Sequence, residues 1–160
     1  AECGAQVPAG VRPGRHLVNR DRDLGTLPRR TVIVMGETDD GVLGDGFHGV
    51  ERPGNAPAYR WVGGMAQVFL QAPSTATAIV CKAASPLRPH QIKLFADAHE
   101  LGAATVGGGA AEFRFELPST LPRDVLLEVT IESETVRPKD LGTSPDTREL
   151  GVLVFEVRAE

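Results

Sequence analysis

The chain has 160 residues, the size of one ordinary domain or of one domain with a short arm, and enough to bury a core without disulfide or metal staples. Hydrophobic residues make up 41% and charged residues 24%, close to globular averages, which excludes wholesale disorder. A net charge of −4 with only 17 Lys plus Arg excludes the basic footprint of a nucleic-acid binder, and the absence of any apolar run near about 18 residues means no membrane span is expected.

The first residues, Ala1-Glu2-Cys3-Gly4, carry neither the basic start nor the apolar stretch of a signal peptide, and the chain lacks an initiator Met. It reads as a processed or excised piece. Residues 1–28 hold Pro8, Gly10, Pro13, Gly14 and the charged patch Arg20-Asp21-Arg22-Asp23, with His16-Leu17-Val18 as a short candidate strand. This stretch is expected to be an irregular arm or linker, and residues 29–160 the folded domain.

From there the pattern is β. With 18 Gly and 12 Pro, breakers are too frequent for a sustained helical period. Residues 30–35 form a short β-run between Pro28 and Gly36; Ala58 to Val62 is followed by Gly63-Gly64 and then Met65 to Leu70. Thr75 to Ala83 is rich in Thr, Ile and Val. Residues 91–96, a turn at Asp97-Ala98-His99 and residues 100–102 read as a hairpin, with Ile92, Leu94 and Ala96 inward and Gln91, Lys93 and Phe95 outward. After Gly107-Gly108-Gly109, residues 112–117 alternate so that Phe113, Phe115 and Leu117 share a face, and Pro118 ends the strand. Val125, Leu127, Val129 and Ile131 face in, opposite Glu128, Thr130 and Glu132; the last strand places Leu153, Phe155 and Val157 on one face. Residues 137–148, with two Pro and one Gly, form a long ordered loop. Short strands separated by turn signals imply an all-β fold, a two-sheet antiparallel β-sandwich.

Chemistry-bearing residues are sparse. Cys3 and Cys81 allow one disulfide, although Cys81 sits in an apolar run and reads as a small core residue. His48 and Glu51, in Gly46-Phe47-His48-Gly49-Val50-Glu51, are an acid–base or ligand pair by type, but on a regular strand residues three apart face opposite ways. The acidic loop from Thr38 through Asp39, Asp40 and Gly41 to Asp45 is a weak candidate for structural Ca²⁺, without the EF-hand spacing; no other cofactor is expected. No nucleophile elbow and no phosphate-binding glycine loop opening a helix is present. Tyr59 and Trp61, two apart on one strand face, are the aromatic pair suited to stack on a sugar ring, with Arg60 pointing the other way.

The segment from Arg137 to Gly151 resembles a signature of the β-sandwich accessory domains attached to bacterial glycosyltransferases and other envelope-polysaccharide proteins. The matching positions are Pro138, Asp140, Leu141, Gly142, Ser144, Asp146, Arg148, Leu150 and Gly151, with Gly46, Glu51 and Trp61 upstream and Phe47 where that pattern carries Trp. The resemblance covers about residues 43–159. It implies a jelly-roll-like sandwich, a glycan or polysaccharide partner, and a linked or associated glycosyltransferase, in the bacterial cytoplasm or cell envelope. Two roles stand for the loop. In one, Arg148 staples it by pairing with Asp146 or Glu51; in the other, Arg148, Glu51, His48 and Arg60 rim a sugar pocket beside Tyr59 and Trp61.

Three functions follow as expectations: a non-catalytic carbohydrate-binding accessory module, a protein-interaction or structural domain, and, least favoured, an enzyme. The last requires His48, Glu51 and the Asp39–Asp45 loop to converge.

Overall fold

The structure is a computed structural model and describes residues 24–160. Cys3, the Arg20–Asp23 patch and the candidate strand at residues 16–18 lie outside the described residues.

The alternation read from the sequence becomes two antiparallel sheets packed face to face. One holds β1 (Val32–Val34), β2 (Arg60–Trp61), β4 (Ala78–Ala84), β7 (Ala111–Glu116) and β9 (Leu153–Ala159). Its order is β1-β9-β4-β7, and β2 joins β9 beyond the end of β1. The other holds β3 (Met65–Ala72), β5 (His90–Ala96), β6 (His99–Val106) and β8 (Val125–Ser133), in the order β3-β8-β5-β6. Six of the eight pairs of consecutive strands fall in opposite sheets, the connectivity of a jelly-roll sandwich.

Between the sheets lie the inward residues of each strand: Val68 and Leu70, Ile79 and Cys81, Ile92 and Leu94, Leu127, Val129 and Ile131, and Val154 with Val157. Burying such side chains is worth about 1.5–3 kcal/mol each against leaving them in water. Phe115 and Leu117 join this core and Phe113 packs against it. Val125, expected inward, is 38% exposed at the start of β8. Cys81 is a fully buried free thiol rather than half of a disulfide.

The structure revises three other sequence expectations. The hairpin turn is two residues long, Asp97 and Ala98 with φ of 48° and 71°, because a turn with both φ positive matches the right-handed strand twist; His99 therefore opens β6. On the outer face of the four-stranded sheet, Phe69, Phe95 and Thr130 are essentially inaccessible, although Gln91, Lys93, Glu128 and Glu132 had marked that face as solvated. Finally, β9 does not keep Leu153, Phe155 and Val157 on one face. Lys82 faces Glu156 while Ala83 faces Val154, so Phe155 is the extra residue of a β-bulge. The bulge sends Val154 and Val157 into the core and leaves Leu153 and Phe155 on the outer surface.

Candidate functional site

The hairpin formed by residues 46–63 carries most of the chemistry. Phe47 faces Val62 and Glu51 faces Tyr59, and the His48 N–H donates to the Trp61 carbonyl. Continuing the first register places His48 opposite Trp61. Reaching Glu51 then takes three residues on one strand against two on the other. That extra residue is a bulge, and it undoes the rule that residues three apart face opposite ways. His48 and Glu51 consequently lie on the same side as Tyr59 and Trp61.

On that side the three rings make a stack of graded depth. Trp61 is 8% exposed and packs with Ala84, Leu150 and Leu153; Tyr59 and Phe155 are half-buried above it. Tyr59 meets Trp61 edge-on at 6.2 Å between ring centres, and meets Phe155 at 6.0 Å and 71°. Such edge contacts hold aromatic rings in fixed orientation. The Tyr59 hydroxyl donates to Glu51 Oε1 at 3.2 Å; burial, and then the neighbouring carboxylate, push its phenol above the usual tyrosine range. Phe155 was not among the residues singled out from the sequence. In a strand apolar at five of seven positions, only the bulge shows which side it takes.

The 137–151 loop closes one flank. Its base is pinned where Val136 and Leu150 exchange backbone hydrogen bonds, and a short 3-10 turn, Pro138–Leu141, ends on Gly142 at φ 74°. Arg148 donates from Nε to both Asp146 oxygens at 3.1 Å and from Nη2 to Oδ2 at 2.7 Å. Its Nη1 stands 3.7 Å from Glu51 Oε2. The guanidinium thus spans the loop and the hairpin, and its hydrogen bonds hold the Asp146 carboxyl at about 2.

Beside the rings is an open cleft of about 400 Å³ lined by Gly46, Phe47, His48, Gly63 and Glu149. Its floor is glycine backbone because side chains do not fit: a Cβ on Gly46 would stand 1.8 Å from the Met65 carbonyl oxygen. His48 Nε2 lies 3.2 Å from the Glu149 carbonyl oxygen. A carbonyl only accepts, so Nε2 carries the proton in that bond. Glu149, also missed in the sequence, is held by Thr135 and Arg137.

Arg60 stands apart from this rim. Its Nε binds Asp39 Oδ2 at 2.7 Å and its Nη1 the His48 carbonyl, so it braces the hairpin against the 38–45 loop instead of facing a ligand. The same pairing commits the Asp39 carboxylate to Arg60. Among the described residues no three His, Cys, Asp or Glu side chains are placed to hold a metal ion. No helix among them is long and apolar enough to cross a membrane.

No protein-family model and no curated protein matches the chain. Among solved structures it is similar to a family 6 carbohydrate-binding module from Clostridium stercorarium in complex with cellobiose, with a TM-score of 0.52 at 11% identity over 83% of this chain and 97% of that one. A family 6 module whose binding sub-sites were dissected by crystallography and calorimetry gives 0.51 at 12% identity, over 83% of this chain and 98% of that one. The fold is shared. At these identities the likeness concerns the sandwich and not its side chains.

Proposed function

We propose that this domain is a non-catalytic carbohydrate-binding module whose contact surface is the Tyr59–Phe155 pair. The observation that carries this reading is the convergence of two half-buried rings with Glu51 and Arg148 on one outer surface, hydroxyl-binding groups at the rim of an aromatic platform. The C–H face of a pyranose stacks on such rings while charged and carbonyl groups take its hydroxyls in pairs. Trp61 supports the platform from below, and His48 borders it. The solved modules of the same fold, one of them holding cellobiose, support the same reading.

The resemblance at Pro138 to Gly151 extends the proposal to a setting: an accessory to glycan synthesis in which a linked or associated glycosyltransferase gains local substrate concentration. A protein-docking role has less support, since the exposed large apolar residues Val32, Val125 and Leu141 sit on three separate elements. The buried Ser85–His90 pair offers no hydrolytic dyad, because the Ser85 hydroxyl donates to the Arg88 carbonyl.

Trp61, the sole tryptophan, reports on the platform from beneath. Its emission should be blue-shifted and protected from acrylamide in the free protein, and should change saturably with a stacking oligosaccharide. Tyr59→Ala should abolish that response. Indifference of both Trp61 emission and the protein's NMR spectrum to a broad neutral and acidic glycan panel would overturn the reading.

A further inference from the structure

We infer that the site takes two adjoining units of a neutral glycan chain, one on the Tyr59–Phe155 platform and the next in the Phe47–His48–Glu149 cleft. The inference rests on the carbohydrate-binding reading and adds the ligand's length, charge class and second contact.

The length follows from the hairpin. Glu51 stands opposite Tyr59 and His48 opposite Trp61, two residues further along the strand, or about 6.6 Å. That offset is comparable to the repeat of a hexopyranose chain, so a sugar on the platform directs its neighbour over His48. The cleft there, about 400 Å³, is within the range that encloses a small ligand. It is kept open at Gly63, where a Cβ would stand 3.2 Å from His48 Nε2 and 3.3 Å from the Gly46 carbonyl oxygen.

The chemistry of the second unit follows from His48. In the tautomer whose Nε2–H donates to the Glu149 carbonyl, Nδ1 is the ring atom that can accept from a sugar hydroxyl. No described residue donates to it.

The charge class follows from how the cations are used. Arg148 is held by both Asp146 oxygens and also lies against Glu51; Arg137 pairs with Glu149. Three carboxylates, Glu51, Asp146 and Glu149, stand against the guanidinium groups of Arg148 and Arg137, each already paired with one or more of them, while Arg52 beside Glu51 donates to the Gly36 carbonyl. A neutral chain pays no electrostatic penalty there.

Calorimetric titration of the folded domain with glucose, cellobiose, xylose, xylobiose and tri-galacturonate tests all three parts. At least one neutral disaccharide should bind about tenfold or more tighter than its monosaccharide, and His48→Ala should erase that gain, bringing the disaccharide down to the affinity of the monosaccharide. Tyr59→Ala should remove both, with thermal unfolding confirming that each variant is folded; Tyr59→Phe, which keeps the ring, should retain most of the binding. Equal affinity for mono- and disaccharide, or a disaccharide gain that survives His48→Ala, overturns the second subsite and leaves the platform standing. Tighter binding of tri-galacturonate than of any neutral sugar overturns the charge class. No binding of any of the five, together with no NMR shift at Tyr59, overturns the platform as well.

Discussion

Arg148 grips Asp146 through both carboxylate oxygens, at 2.7 to 3.1 Å, while its distance to Glu51 is 3.7 Å. The loop arginine is therefore mainly a staple for its own loop and only secondarily a link to the hairpin. Of the two roles open to it from the sequence, the geometry favours stapling. The staple nevertheless sets the outer wall of the platform, because Glu51 in turn receives the Tyr59 hydroxyl.

That pairing should be visible in a titration. Hydrogen bonds from Arg148 depress the Asp146 carboxyl to about 2, against about 3.9 in an unfolded chain. A depressed folded value means the contribution to stability is complete above the unfolded value and is lost as pH falls toward 2. Carboxyl-detected NMR should place the Asp146 midpoint near 2, and Arg148→Ala should return it toward the free value. A midpoint near 4 in the wild-type domain would show that the staple does not form in solution.

His90 gives a pH effect in a different window. Burial lowers its pKa, and Arg88 adds to that, while Glu134 and the Gly151 backbone oppose it. Its Nδ1 meets Ser85 Oγ at 3.0 Å, and its buried Nε2 has no well-formed hydrogen bond. With the folded value below the unfolded one of about 6.5, the unfolded chain takes up the proton first. Stability should hold above that pH and decline as pH falls from there to the folded value. Urea midpoints measured across this range should fall on acidification, and His90→Gln should flatten the dependence.

Backbone strain separates two glycines. At Gly46, φ is 97° and a Cβ would overlap the Met65 carbonyl, so Gly46→Ala should cost at least about 2 kcal/mol by urea denaturation. At Gly142, φ is 74° but the space around it is open. There Gly→Ala should cost only about 1 kcal/mol, the penalty of the left-handed conformation itself. Similar losses at the two positions would refute the packing argument for the cleft floor.

Cys81 should be chemically silent. Complete burial pushes its thiol up to about 12, so little thiolate exists at neutral pH. In a Cys3→Ser variant, where Cys81 is the sole thiol, an Ellman assay should detect it only after denaturant is added. Reaction in the native protein would show that the core between β4 and β9 opens far more readily than its packing implies.

The sequence by itself determined the class of fold. Period-two alternation at 125–132 and 112–117, and Gly and Pro at the strand ends, leave few ways to bury Leu127, Val129, Ile131 and Phe115 except between two sheets. It also showed the chemistry-bearing residues of the hairpin: His48, Tyr59 and Trp61, whose types are scarce in this chain, and Glu51 by its place three residues from His48. Their arrangement was decided only in three dimensions. Local alternation carries no mark of the extra residue between His48 and Glu51, or of the one at Phe155, since a bulge is a mismatch between two strands and is defined only once they are paired. The partners of Arg60 and Arg148 depend on the same pairing: Asp39 and Asp146 are reached through loops whose course follows from the packing of the sheets beneath them. Trp61 ends as the buried base of the platform, and Tyr59 with Phe155 as its surface, because depth is a property of the neighbours that cover a ring and not of the ring's own place in the chain.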